Sequence, residues 1–303
     1  MQPTRKQARF VTILGFSATI LMWGSFPVAA KFGVEHAPPL LLSAVRFLLA
    51  FVLMACLAFF QRKRLRLPWR QHRQVLILSI LMVGIPGSIF FSAVPYAPVG
   101  VLTVMWSTTP LFTALFTMRE SGEVHGWRLP VSLGVGLLGV LIVLLGRLPF
   151  LPGTTLFASG GVALVGELAV LGSSAVYGLG IRAAKHSSPE MPVVVLTTWQ
   201  LFYSGLFMLV MSQIFEHGQG LPLDPVTLGA LLYLVIFCSC ITFLLTFWLI
   251  RRLGAIRTAY ADFISPGVTL ILSYFLLGED LSPAKIAGLV LVILGVLLVV
   301  KME

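Results

Sequence analysis

Two charged side chains stand inside long apolar stretches: Asp262, and Arg46 in the run that begins near Pro38. In hydrocarbon such a group costs about 2.5–3.5 kcal/mol on insertion scales, so it faces a cavity, a partner or a bound solute. Asp262 lies about eight residues, roughly 12 Å, beyond the start of its run at Gly254. That depth suits a proton- or solute-binding carboxylate; the competing reading is a structural pair with Arg257 or Arg46. Arg46 carries a planar donor fork suited to a carboxylate, and it serves equally to hold backbone carbonyls. Glu167, near the start of another run, reads either as interfacial or as lining a vestibule, and with Asp262 it forms the proton-coupling candidates. Trp23, Trp106, Tyr177 and Tyr260 offer ring faces and polar tips to a solute. Trp106, Tyr177 and Tyr260 are favoured because their neighbours Ser107, Thr108, Gly178 and Ala261 are small or polar.

The elements that position these residues follow from composition. With 58% hydrophobic and 11% charged residues, the chain has too little polar surface to face water on all sides. The apolar runs are long and do not alternate, which excludes a barrel. At about 20 residues per crossing, 303 residues accommodate ten membrane helices with short loops. The expected spans are 10–31, 38–60, 74–93, 97–118, 127–146, 163–184, 191–214, 226–250, 254–277 and 283–301. The fold class is therefore an all-α integral membrane protein.

An internal duplication organises the spans. Residues 97–146 and 253–302 agree without a gap: Pro110 falls on Pro266, Gly122-Glu123 on Gly278-Glu279, and Gly139-Val140-Leu141 on Gly295-Val296-Leu297. A second stretch, two residues out of step, places Trp23-Gly24 on Tyr177-Gly178 and Ala29-Ala30-Lys31 on Ala183-Ala184-Lys185. Five spans per copy is an odd number, so the second copy enters the membrane from the opposite side, as an inverted repeat does. The expected division is 1–147, a Pro- and Gly-rich linker at 148–162, and 163–303. Where the copies differ, Trp106 stands against Asp262 and Arg46 against Gln200, which marks a solute site for an asymmetric ligand or ordinary divergence. Pro27, Pro110 and Pro266 are hinge candidates, the last two as paired kinks.

Charge fixes the expected orientation. Of 21 Lys and Arg, 17 fall in connections on one side and three, Lys31, Arg147 and Lys285, on the other, with Arg46 inside a span. By the positive-inside rule both termini are cytoplasmic, and the formal net charge of +10 reflects topology rather than a nucleic-acid partner. Cys56, Cys238 and Cys240 sit in apolar runs and imply no disulfide framework. The sequence contains no Asn, hence no glycosylation sequon, which is compatible with a bacterial inner membrane. The apolar run after Arg5–Arg9 contains Pro27 and is too long for a cleaved signal peptide. Gly134-Val-Gly136-Leu-Leu-Gly139 matches a dinucleotide fingerprint but lies in a span with no preceding strand, so helix packing is expected of it. No nucleotide, metal or hydrolase motif occurs, and neither a cofactor nor an enzyme activity is expected.

The string Trp23-Gly-Ser-Phe-Pro-Val-Ala-Ala-Lys31, the Arg46-Phe47 pair and the Gly-Glu turns before the last span of each copy resemble the EamA repeat of the drug/metabolite transporter superfamily. Because EamA repeats resemble one another at this Arg, the resemblance favours an architectural role for it. What it further implies is a ten-helix secondary carrier of small organic solutes, an exporter of amino acids or related metabolites working by alternating access. Proton coupling, an uncoupled facilitator and a non-transport membrane scaffold remain as alternatives at this level.

Overall fold

A computed structural model describes residues 5–118, 128–145, 161–186, 191–253 and 255–300; at some helical positions, Tyr260, Asp262 and Phe263 among them, only the backbone is described. The described chain is helical: α1 (Arg5–Val34), α2 (Pro39–Phe60), α3 (Trp69–Ser79), α4 (Ile85–Ala93), α5 (Val99–Trp106), α6 (Thr109–Met118), α7 (Arg128–Leu145), α8 (Gly161–His186), α9 (Val193–Phe215), α10 (Pro225–Val235), α11 (Thr242–Leu253), α12 (Ala255–Leu277) and α13 (Pro283–Val300). Prolines open several of them: Pro39, Pro225 and Pro283 stand at first helical positions, where a missing N–H costs no helical bond. Left-handed residues end others, with Arg62 (φ 54°) after α2, His217 (φ 50°) after α9 and Gly278 (φ 66°) after α12.

Among the described residues, seven helical stretches are long and apolar enough to cross a membrane, and three shorter apolar ones lie at Pro130–Leu145, Ile264–Leu277 and Pro283–Leu298. Phe59, Phe60, Val165 and Phe275 are among many large apolar side chains on the outside of the bundle. Such a surface is stable against lipid tails and not against water. Cys56, Cys238 and Cys240 are free thiols.

Helix pairing follows the duplication. α1 packs on α12 and on α10–α11, while α8 packs on α5–α6 and on α4; α2 pairs with α9, and α7 with α13. Where α1 packs on α12, a Cβ on Gly24 would lie 2.6 Å from Val268 Cβ. At the corresponding approach of α8 to α6, a Cβ on Gly178 would lie 3.0 Å from the Thr113 nitrogen and 3.1 Å from the Phe112 carbonyl carbon. Gly24 and Gly178 match in one sequence register, Phe112 and Val268 in the other, so the two contacts are images of each other. The α7–α13 seam uses the same device: a Cβ on Gly139 would meet the Gly288 carbonyl at 2.6 Å, and one on Gly295 the Ser132 carbonyl at 2.7 Å. Gly136 packs on Leu111 and Gly134 meets nothing, so no dinucleotide loop is formed.

Two interruptions were not anticipated. π-Helical segments at Ile80–Gly84, between α3 and α4, and at Ile236–Ile241, between α10 and α11, begin 156 residues apart, the offset that superposes Pro110 on Pro266. Moreover, the stretch expected as one kinked helix over 97–118 is two helices separated at Ser107–Thr108, whereas α12 runs unbroken through Pro266. The hydroxyls before Pro110 account for the break. Pro110 has no N–H for the Trp106 carbonyl, and Thr109 Oγ1 donates to that oxygen at 2.7 Å. Ser107 Oγ takes the Thr103 carbonyl and Thr108 Oγ1 the Met105 carbonyl, both at 2.7 Å. Pro110 thus stands in the first turn of α6 rather than inside a helix.

Candidate functional site

The break ends α5 at Trp106, and its ring belongs to a continuous line of aromatics. The line runs Phe243, Trp23, Phe26, Phe90, Trp106, Tyr177, with successive centroids 6.0, 6.3, 5.5, 5.8 and 5.8 Å apart. Phe243 comes from α11 and Tyr177 from α8; the four rings between them come from α1, α4 and α5. Rings of the second half therefore bracket those of the first. Edge-to-face contacts predominate, as the ring quadrupole favours.

Arg46 borders this line from α2. Its guanidinium carbon lies 4.7 Å from the Phe26 centroid, 4.8 Å from Phe47 and 5.9 Å from Phe91. Nε donates to Ser239 Oγ at 2.9 Å and Nη2 to the Cys238 carbonyl at 3.4 Å, both in the second π-helical segment. The residue is 2% exposed and makes no ion pair among the described residues; the pairing with Asp262 weighed from sequence falls on a side chain outside them. One residue further in that segment, Cys240 Sγ approaches the Ala50 carbonyl at 3.9 Å.

The other candidates are distributed unevenly. Trp23, Trp106, Tyr177 and Arg46 come together. Gln200 does not join them: Ser43 Oγ donates to Met208 Sδ, and Gly205 packs on Leu48, so Arg46 stands level with Leu206 of the antiparallel α9. Six residues separate that level from Gln200, about 9 Å along the helix. Gln200 is half-buried beside a different aromatic group, in which His72 Nδ1 bonds Tyr203 OH at 2.8 Å, Trp199 stacks on Tyr203, and Trp199 Nε1 donates to the Leu65 carbonyl at 2.9 Å. Glu167 is 1% exposed, its side chain turned into the bundle, and lies ten residues, about 15 Å, from Tyr177 along α8. Pro27 lies inside the continuous α1. The side chains of Tyr260 and Asp262 lie outside the described residues.

A groove of about 540 Å³ opens elsewhere, between α4, α8 and α9, lined by Ile85, Ser88, Ile89, Val165, Phe207 and Met211 among others. None of the candidate residues lines it. Its apolar walls carry little of the chemistry that orients a polar solute, and the converging aromatic and cationic groups mark the better candidate site.

Polar ties close one end of the bundle around that site. Glu216 accepts from the Leu40 and Leu41 amides at 2.7 and 2.9 Å, and Glu279 accepts from the Val99 and Gly100 amides at 2.6 and 3.1 Å. Each carboxylate from the second half thus caps the N-terminus of a first-half helix, α2 or α5, where free N–H groups and the helix dipole favour an anion. Lys31 Nζ donates to the Val94 and Pro95 carbonyls at 3.1 and 3.3 Å at the same end.

The EamA-like transporter family matches residues 10–145 and again 164–301, nearly the whole chain in two passes. The chain belongs to this family. Among its relatives, the uncharacterized transporter YoaV of Bacillus subtilis (strain 168) is 26% identical over 288 residues, covering 94% of each chain. The uncharacterized inner membrane transporter YedA of Escherichia coli (strain K12) is 28% identical over 289 residues, covering 93% of this chain and 88% of YedA. The S-adenosylmethionine/S-adenosylhomocysteine transporter of Chlamydia muridarum is 22% identical over 290 residues, covering 93% of this chain and 89% of that protein. A crystal structure with 22% identity superposes with a TM-score of 0.61 over 95% of this chain, a shared fold. The EamA-like chain is accordingly a multi-pass membrane protein of a transporter family.

Sequence reasoning about this EamA-like chain missed Phe26, Phe90 and Phe243, which link the tryptophans, and Ser239, which orients Arg46. Phe26 stands in the quoted Trp23–Lys31 string and was within reach. Phe90 and Phe243 are two of 22 Phe, and nothing but their placement separates them from core residues. Glu279 was read as part of a turn; its capping of α5 joins residues 180 apart in sequence.

Proposed function

We propose that this chain is a secondary transporter of small organic solutes, an exporter of amino acids or related metabolites that works by alternating access. The family and its transporter-named relatives support transport. In this reading, ten membrane-crossing stretches form two inverted five-helix repeats, 1–147 and 163–303, around the 148–162 linker, in a bacterial inner membrane with both termini cytoplasmic. The paired helix contacts and the lopsided placement of Lys and Arg support that arrangement.

The observation that carries the proposal is the line of six rings that passes from α11 through α1, α4 and α5 to α8, with Arg46 at its flank. Rings from both halves meet along it, so a motion of one half against the other changes access to the same surface. The Glu216 and Glu279 caps tie the halves at one end, and the Trp199–Tyr203–His72 group ties them at the other. Alternate loosening of these ties gives the two access states. Solute chemistry of the kind in one relative's name, an adenine ring joined to an amino-acid carboxylate, suits ring faces beside a cation.

Proton coupling is assigned to Asp262, with Glu167 as the second candidate, on the sequence argument for carboxylates in apolar spans. Flux of amino acids from proteoliposomes containing purified protein tests the proposal. Transport that depends on a pH gradient in the wild type and loses that dependence in Asp262→Asn supports coupling. Full transport with unchanged pH dependence in that variant removes Asp262 from the role, and the protein is then an uncoupled facilitator.

A further inference from the structure

Arg46 presents an unusual combination for a buried cation. Two N–H groups are engaged, Nε–H by Ser239 Oγ and one on Nη2 by the Cys238 carbonyl, leaving three of the five guanidinium donors without an acceptor among the described residues. No carboxylate among the described residues answers the charge, although burying an unpaired ion is costly. Partial compensation comes from the faces of Phe26, Phe47 and Phe91, and a ring face is a weaker partner than an anion.

An architectural role alone would be satisfied by closing the remaining donors on backbone carbonyls. The sequence around Arg46 does the opposite. Its nearest rings are apolar phenyls, and its tether to Ser239 fixes the orientation of the fork without consuming its Nη1 edge. Ser239 is itself fixed, donating to the Leu234 carbonyl at 3.0 Å in the π-helical segment. Among the described residues the fork is therefore oriented, cationic and under-coordinated, and Phe26 is at once its ring partner and a member of the aromatic line.

We infer that Arg46 is the recognition group for the carboxylate of a solute whose remaining body is aromatic or branched apolar. This rests on the transporter reading of the same site. A carboxylate takes the two-pronged edge of a guanidinium bidentately, and an apolar body then lies along Phe26, Phe90 and Trp106. A single guanidinium among the described residues of the line selects monocarboxylates over dianions, which would leave their second charge among phenyl rings. Neutral analogues of equal shape lose the charge-assisted bonds while keeping the ring contacts.

The test varies the ligand first, so that it does not depend on a variant folding. Equilibrium binding of 3-phenylpropionate and of phenylalanine to purified protein is compared with that of 3-phenylpropionamide and phenylalaninamide, read by tryptophan fluorescence. The inference expects each acid to bind at least about tenfold more tightly than its amide. It further expects Arg46→Gln to erase that ratio and Arg46→Lys, which keeps the charge but not the fork, to restore only part of it. Equal affinity for acid and amide, binding of neither acid, or an acid preference that persists in a folded Arg46→Gln overturns it. Counterflow in proteoliposomes separates this from the transport reading. Exchange of the amides as fast as the acids leaves a transporter without the Arg46 specificity; an acid preference in binding without any counterflow leaves the specificity without the transporter.

Discussion

The fourth helical stretch of the first half is broken at Ser107–Thr108, and its counterpart in the second half is a continuous helix through Pro266. Both carry the proline; they differ in what precedes it. Ser107-Thr108-Thr109 supplies three hydroxyls, each of which takes a carbonyl one turn back. At the matching positions Phe263-Ile264-Ser265 supplies one. A shared proline is therefore insufficient to decide helix geometry in an apolar setting; the local supply of donors decides it. The consequence reaches the candidate site, because the break ends α5 at Trp106 and sets its ring between Phe90 and Tyr177.

The comparison can be broken most severely by making the first half like the second. Replacing Ser107, Thr108 and Thr109 by Phe, Ile and Ser removes two of the hydroxyls and overfills buried sites. Overpacking at two positions costs about 2–6 kcal/mol, so the unfolding midpoint in detergent falls well below that of the wild type. A triple variant as stable as the wild type would show that the hydroxyls do not shape the break.

Prolines come next. Pro266→Ala restores an interior N–H donor and removes a ring clash, worth up to about 3 kcal/mol in an isolated helix, so it raises the unfolding midpoint. Pro110→Ala, in a first turn, changes it little. Equal shifts for the two would contradict the geometry described for the two stretches. The ties between halves are of similar size: Glu279→Ala removes two bonds to a charged acceptor, at about 1.5–3 kcal/mol each before water replaces any of them, and lowers the midpoint measurably. Thr109→Val, which orphans the Trp106 carbonyl, costs about 1–3 kcal/mol by the same measurement.

The smallest effect sharpens the comparison at another matched pair. Asp224 caps α10, whereas Pro68, 156 residues earlier, caps α3 with no side-chain bond. The Thr227 hydroxyl, and after it the Thr227 amide, hold the Asp224 carboxyl below the ordinary carboxylate range. A lowered folded value means that its stabilisation is present above the ordinary range and is lost as pH falls through the lowered value. Asp224→Asn therefore flattens part of the acid limb of a stability–pH profile, with little change at neutral pH. An unchanged acid limb would remove this role.

Legibility in the sequence followed the range of the interaction. Helix positions were readable because apolar runs and opening prolines are local. The Trp23, Trp106 and Tyr177 candidates were readable because large aromatics beside Gly, Ser or Thr in an apolar run are unusual. Gln200 was placed by register alone, and register does not say which residues of antiparallel α2 and α9 stand level. The π-helical segments left no signal; Ile80–Gly84 and Ile236–Ile241 share little sequence. The capping of α5 by Glu279 was unreadable because its partners lie 180 residues away.

Two aromatic groups allow the account to be tested against an internal control. Trp106 belongs to the line beside Arg46, and Trp199 to the group with His72 and Tyr203. Counterflow of a panel of labelled amino acids and aromatic monocarboxylates is measured in proteoliposomes for the wild type, Trp106→Ala and Trp199→Ala at matched protein content. The account predicts counterflow in the wild type, nearly abolished in Trp106→Ala and largely kept in Trp199→Ala. Counterflow that survives intact in Trp106→Ala, or that is lost in Trp199→Ala alone, would contradict it.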